Sequence, residues 1–380
     1  MRYDTTMARN PFSYGSPVGG PYFAGRVAEI DALVSRMENG VNVVVTAPRR
    51  YGKTSLLERG ADRVVSAGGS IVRANLLRTP SLDALASRLA TDAYALTGGP
   101  WLRAVQAVPE FLKRLRLNPS VTFDDKGKPV FTFTGVIGAR DAEQLIDDVY
   151  RILAELAEER PAVLMLDEFQ AFADLGPRLP GLLKALADEH PKVSLVMAGS
   201  RKHLMESLVL SSGAPLYNMA ERIALGPIEE AVMRKFLRSR TKAGGKSMVP
   251  EVAERICDLA GPIPHDIQRL AYEVFDEATE EIDLGAVDAG MRRVVEHEAE
   301  GYAERFSKLA VGQRRVLFVL ADTWVDQPQS SGFARATGYA NPAGARKALI
   351  ALEENETILN RGGAFQVADP FFREWLRRGT

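Results

Sequence analysis

The chain has 380 residues, of which 46% are hydrophobic and 26% charged, so it is a globular sequence too long for one ordinary core and about two or three domains are expected. A formal net charge of −1 excludes the global basic field behind non-specific nucleic-acid binding, so any such contact has to be local. The most apolar runs, 41–45 and 163–166, fall far short of the ~20 residues that cross a bilayer, and no membrane association is expected.

The N-terminus has neither the basic start nor the apolar stretch of a secretory signal. Residues 1–24, rich in Gly, Pro and aromatics, read as an ordered arm and not as a helix. From 25 to 37 the apolar residues Val27, Ile30, Leu33, Val34 and Met37 recur at helical spacing. Residues 41–46 form a β-branched run, followed by a glycine-containing turn and a helical stretch from Lys53 to about 66. A second apolar run spans 70–75 and a second helix 81–95. Short runs alternating with helices predict a parallel sheet covered on both faces. Residues 99–140 break this rhythm and read as an insertion, with a hairpin joining 121–123 to 130–133. The alternation resumes with a helix at 142–158, a buried strand at 163–166 and a helix at 177–189. Strands at 193–198 and 221–225 close it.

Beyond Pro227 the pattern is helical, over 229–243, 250–260, 264–278 and 284–300. The only cysteine, Cys257, lies in the apolar phase of the second of these, which marks it as a small buried hydrophobe. A lone cysteine also excludes an internal disulfide and suits a reducing, cytoplasmic compartment. From about 303 come helices at 311–321, 329–337 and 342–354 and a strand pair at 358–361 and 364–367, the composition of a winged helix. The expected domains are therefore an α/β core over 1–226, a helical lid over 227–302 and a winged helix over 303–380.

Ala47-Pro48-Arg49-Arg50-Tyr51-Gly52-Lys53-Thr54, with Ser55 behind it, follows a strand and opens a helix, as a phosphate-binding loop must. Backbone N–H groups at a helix N-terminus favour an anion, and Gly52 lets the backbone approach it. Lys53 reaches the β- and γ-phosphates of ATP and the Thr54 hydroxyl ligates Mg²⁺. The motif departs from GxxxxGK[ST] at its first glycine, replaced by Ala47; if that position needed positive φ, alanine would cost about 1 kcal/mol. The buried strand ending in Asp167-Glu168 supplies the second half of the site, with Asp167 for Mg²⁺ and Glu168 to polarise the attacking water.

These motifs make the chain similar to the archaeal-type ATPase family, AAA+ relatives of the STAND NTPases and the Orc1/Cdc6 initiators. Phe23-Ala24-Gly25-Arg26 followed by Glu29 resembles the family's F-x-G-R-x-x-E segment beside the adenine, which implies nucleotide contacts for Phe23 and Arg26. Arg49-Arg50-Tyr51-Gly52-Lys53-Thr54-Ser55-Leu56 resembles its RRxGKTSL loop, and Asp167-Glu168-Phe169-Gln170 its DEFQ box. Ala198-Gly199-Ser200 looks like the sensor-1 strand, making Ser200 the γ-phosphate sensor, and Gly261-Pro262-Ile263-Pro264 resembles the lid turn that puts Pro264 near the nucleotide. The family often has an arginine shortly after Pro-Leu-Tyr; here Pro215-Leu216-Tyr217 precedes Asn218-Met219, and Arg222 is the nearest candidate for a finger or a surface salt bridge.

The tail from 301 onward carries eleven Lys/Arg against eight Asp/Glu, and its third helix exposes Arg346 and Lys347 before Glu353-Glu354. Two readings stay open. Either ATP drives a slow hydrolytic switch whose winged helix contacts duplex DNA, or ATP gates self-association or assembly with a protein partner, as in a STAND-like signalling or defence scaffold.

Overall fold

The computed structural model describes residues 10–96, 118–123, 129–134, 139–200 and 205–379. The chain divides into two compact units, Arg26–Gly226 and a second made of Met1–Gly25 with Pro227–Thr380. No helix among the described residues is long and apolar enough to cross a membrane.

The first unit is built on a five-stranded parallel sheet of β1 (Val43–Thr46), β2 (Ser70–Asn75), β5 (Ala162–Asp167), β6 (Val193–Gly199) and β7 (Glu221–Ala224). Its spatial order is β2-β5-β6-β1-β7. Every residue of β5 and β6 is buried, because central strands of a parallel sheet have helices on both faces. At the edges, β2 alternates buried and accessible positions, and β7 buries only Ile223. On one side α3 (Leu82–Leu96) packs against the helix Ala139–Ala157, with Leu85, Leu89, Leu145 and Val149 in a core shared with Val44 and Leu164. On the other, α1 (Val27–Glu38) and α2 (Lys53–Ser66) pack together and bury Leu33, Met37, Leu56 and Val64. The hairpin expected within 99–140 is present as β3 (Asn118–Phe123) and β4 (Pro129–Thr134), antiparallel with Val121 opposite Phe131. Its turn and most of the expected insertion lie outside the described residues.

The sheet order positions the site. After β1 the chain crosses to the far edge at β2, returns through β5 and β6, and finally places β7 on the other side of β1. Strand order thus reverses around β1, and ligands of open α/β sheets bind outside the carboxyl ends at such a point. Register aligns those ends, pairing Thr46 with Gly199 and Asp167 with Ala198 and Asn75.

The second unit is helical. Glu230–Ala243, Pro250–Ala260, Pro264–Glu277 and Leu284–Ser307 come first, with a two-residue parallel pair, β8 (Ser247–Met248) and β9 (Glu281–Ile282). Phe12 of the N-terminal arm is buried here, edge-on to Phe236 and Phe275, and Asn10 donates to the Tyr272 carbonyl. Next come helices Val311–Asp322, Ser331–Ala336 and Pro342–Glu354 and the antiparallel pair β10 (Ile358–Arg361) and β11 (Ala364–Val367). A further bridge joins Val325 to Phe365, and the helix Pro370–Arg377 ends the tail. Local chemistry sets these starts. Proline occupies the first turn at 250, 264, 342 and 370, where its missing N–H is harmless, and Asn341 and Asp369 cap the amides of Gly344 and of Phe371 and Phe372.

Several boundaries differ from the sequence pattern by one to three residues, and one differs by seven. The helix expected to end at 300 continues to Ser307, straight through Gly301. Glycine costs a helix interior about 1 kcal/mol, but Tyr302 and Phe306 beyond it pack on Phe372 and Trp375, with ring centroids 5.2–6.1 Å apart. That burial outweighs the propensity.

Cys257 is buried, and desolvation, reinforced by nearby Glu230, pushes its thiol up to about 12. Iodoacetamide at pH 8 is therefore expected to leave the folded chain unlabelled and to label it only as it unfolds. The same shift stabilises the fold fully below the ordinary thiol pKa of about 8.5, and the stabilisation is lost as pH rises from there towards 12. Rapid labelling of the native protein would contradict this.

Candidate functional site

In the turn after β1 the left-handed backbone falls at the motif's second glycine, Gly52, and at Arg50, and not at its first position, Ala47. Gly52, at φ 83°, caps α2 without a side chain, so the first-turn amides are presented to the space beyond the strand ends. Arg50 is also left-handed, at φ 68°. Ala47 is not among the positive-φ residues, so alanine in place of the motif's first glycine carries no backbone penalty here. Ala47 is buried, and its N–H donates to the Gly199 carbonyl at 3.4 Å. Pro48, Arg49 and Arg50 are exposed, whereas Tyr51, Lys53 and Ser55 are buried.

Lys53 opens α2 and is only 5% exposed. Its ammonium bonds Asp167 Oδ1 and lies 3.1 Å from Glu168 Oε1. The Thr54 hydroxyl donates to Asp167 Oδ2 at 2.9 Å, and the Glu168 N–H donates to Asp167 Oδ1 at 2.8 Å. Both Asp167 oxygens are therefore occupied by groups from the loop and its own strand end. Glu168 sits at φ 56°, ψ 41°, a left-handed conformation that turns the chain sharply off β5 into a 3₁₀ helix at Phe169–Leu175. Such backbone concentrates at functional sites. Glu168 Oε2 accepts from Gln170 Nε2 at 2.5 Å, and Gln170 Oε1 accepts from the Ser200 N–H at 3.3 Å. Lys53, Thr54, Asp167, Glu168 and Ser200 are thus brought to one sheet edge.

Arg222 reaches the same edge, its exposed side chain donating from Nε to the Thr46 hydroxyl at 3.4 Å. Phe23 and Pro264 belong to the second unit, where Phe23 is half-buried and Pro264 opens the helix Pro264–Glu277.

Arg26 takes a part that sequence reasoning did not foresee. It is left-handed at φ 61° and 7% exposed. Its guanidinium pairs with Glu29 at 2.9 Å and donates to the carbonyls of Tyr51 at 3.3 Å and Gly226 at 2.5 Å. The fork therefore ties α1, the phosphate loop and the chain after β7 together. A buried arginine three residues before a glutamate was visible in the sequence, but its two carbonyl partners lie 25 and 200 residues away.

The donor set fits a nucleotide with a divalent metal ion. Thr54 and Asp167 place two hard oxygen ligands side by side, as Mg²⁺ requires. Lys53 and the first turn of α2 supply positive charge and N–H donors for phosphates.

Comparison with known proteins agrees with this architecture. Residues 300–378 match the family described as "Probable winged helix domain". No curated protein matches the chain. Among solved structures, it is similar to a Walker-type ATPase of Pyrococcus abyssi, with a TM-score of 0.64, 17% identity, and 97% of this chain and 99% of that one covered. It is also similar to the Orc2 protein of Aeropyrum pernix, solved as ADPNP–ADP complexes, with a TM-score of 0.57, 16% identity and 97% of each chain covered. The chain therefore shares the fold of these two proteins, with a central parallel sheet flanked by helices, and carries a C-terminal winged helix domain.

The Arg26 tie generates a stability prediction. Arg26→Met keeps the stem but leaves the Tyr51 and Gly226 carbonyls without their donor, and should cost about 3 kcal/mol of unfolding free energy. Denaturant melts of the full chain measure it; a change under about 0.5 kcal/mol would show that the fork holds nothing.

Proposed function

We propose that the chain is a slowly hydrolysing, Mg²⁺-dependent switch ATPase. The observation that carries the reading is the cluster at the sheet edge, in which Lys53, Thr54, Asp167 and Glu168 meet from two separate segments. Similarity of fold to the Orc2 protein, solved with ADPNP and ADP, supports an adenine nucleotide. In this reading Pro48–Ser55 wraps the phosphates through its backbone, and Lys53 faces the β- and γ-phosphates. Thr54 and Asp167 hold Mg²⁺, which neutralises phosphate charge when bound. Glu168 accepts a proton from the water that attacks the γ-phosphorus, the bond to the β-γ bridging oxygen breaks, and ADP and phosphate leave. Ser200 senses the γ-phosphate. Arg222 is the candidate cation for the departing charge, supplied within the chain or by a second copy. Because Asn218-Met219 follow Tyr217 where the family often has an arginine, basal turnover is expected to be slow.

We further propose that 26–226, 227–302 and 303–380 act as core, lid and winged helix, with the arm 1–25, expected to belong to the core, joining the helical unit instead, and that the protein works in the cytoplasm. The winged helix is the element that contacts duplex DNA. Arg346 and Lys347 are exposed on the helix Pro342–Glu354, and Arg361 lies over the Trp324 ring at 5.5 Å beside β10. Lys/Arg side chains grouped on one helix and its wing suit a groove flanked by phosphates.

Two experiments decide these points. Lys53→Ala should abolish binding of a fluorescent ATP analogue, whereas Glu168→Gln should retain it with Mg²⁺ and lower kcat about 100-fold or more. Undiminished analogue binding by Lys53→Ala would refute the nucleotide site. In a salt titration with duplex DNA, Arg346→Glu with Lys347→Glu should weaken binding and reduce the salt slope by about one unit per lost phosphate contact, leaving ATP turnover unchanged. Wild-type protein without duplex affinity, with or without ATP, would instead assign the tail to assembly with a protein partner.

A further inference from the structure

The hydrolytic scheme gives no part to Gln170, although this side chain touches both Glu168 and the end of β6. It is 7% exposed and lies in the 3₁₀ turn that follows Asp167-Glu168. Its Nε2 donates to Glu168 Oε2 at 2.5 Å, and its Oε1 accepts the Ser200 N–H at 3.3 Å. The chemistry of the partners fixes the orientation of the amide. A backbone N–H can only donate and a carboxylate only accept, so one of the two amide orientations satisfies both. The carboxamide rests on Gly199, where an added Cβ would come within 2.8 Å of Gln170 Oε1. The other Glu168 oxygen faces Lys53 at 3.1 Å, so the carboxylate is held from two sides. Asn75, aligned with Asp167 at the end of β2, is engaged in its own turn, accepting the Leu77 N–H at 3.1 Å.

We propose that Gln170 is the positioning residue of Glu168 and links that carboxylate to Ser200 through a single amide. Holding Oε2 leaves Oε1 to receive the proton from water once Lys53 turns to the phosphates, and a shift of the β6 end moves Glu168 with it. This rests on the hydrolytic reading above.

Gln170→Leu in the full chain keeps the bulk and removes both bonds. Its kcat should fall about 10-fold or more, since misplacing a reacting group by about 1 Å costs on the order of 100-fold, while affinity for a non-hydrolysable ATP analogue with Mg²⁺ stays within about twofold. Introduced on top of Glu168→Gln, the same substitution should cause no further loss, because its effect runs through the carboxylate that is already gone. An equal loss in that background, or lost analogue binding with turnover per bound nucleotide preserved, would overturn the proposal. A second measurement is independent of turnover. The Gln170 side-chain amide signal, assigned by its disappearance in Gln170→Leu, should shift in Glu168→Ala, and the Ser200 amide should exchange faster in Gln170→Leu. An unmoved Gln170 signal rejects the link. If wild type binds the analogue but hydrolyses nothing, the hydrolytic reading fails while the amide signals still decide the link. Gln170→Met replaces the leucine variant if that one does not fold.

Discussion

The ion cluster of Lys53 with Asp167 and Glu168 is the constraint on which the rest of the first unit depends. Three charges of this kind sit at the edge of a low-dielectric sheet, where removing one partner of a buried pair costs about 3–5 kcal/mol. Each must therefore be delivered accurately, and it is the strand order that does so. By placing β6 between β1 and β5, the sheet separates the loop from the carboxylates by one strand. The register then levels Thr46, Asp167 and Gly199 at a common edge. The cluster carries one more negative charge than positive. A polyphosphate drawing Lys53 away would leave two carboxylates facing an anion, and a divalent cation beside Thr54 and Asp167 would neutralise them.

Three of the five non-glycine residues with positive φ among those described, Arg26, Arg50 and Glu168, lie around this edge. Left-handed backbone is unfavourable for each of them, and it persists because side-chain contacts over-determine it. Arg26 has three partners. Glu168 is fixed through its carboxylate and its amide. In the second unit the equivalent ordering device is aromatic. The rings of Tyr302, Phe306, Phe372 and Trp375 carry one long helix across Gly301 and seat the last helix of the tail.

Much of this was legible in the sequence. Strands β1, β5 and β6 are buried on both faces, so their residues read as unbroken apolar runs, and the pair Asp167-Glu168 stands where one such run stops. Prolines at 250, 264 and 342 stand where the sequence pattern starts helices, and the structure starts them there through local chemistry. What was not legible depends on contacts distant in the chain. Phe169-Gln170-Ala171-Phe172 has neither a helical nor a strand period, and its 3₁₀ turn exists because both phenylalanines bury and stack at 4.7 Å. The carbonyls that Arg26 binds have no sequence signature. The continuation of the helix past Gly301 is a packing result that overrides propensity.

The bond from Arg26 to the Gly226 carbonyl has an architectural meaning beyond the loop it supports. These two residues are the first and last of the sheet unit, so that unit enters and leaves through a single closed neck. It is an insertion within the helical unit, and a segment with joined ends can be excised or transplanted as one piece. The helical unit bears the opposite burden. Its core needs Phe12 to meet Phe236 and Phe275, partners that emerge from the ribosome more than 200 residues later. The neck removes most of that separation. Once the inserted sheet has folded and closed on itself, the arm before it and the helices after it are neighbours along an effectively shortened chain, and the entropy of bringing them together falls accordingly.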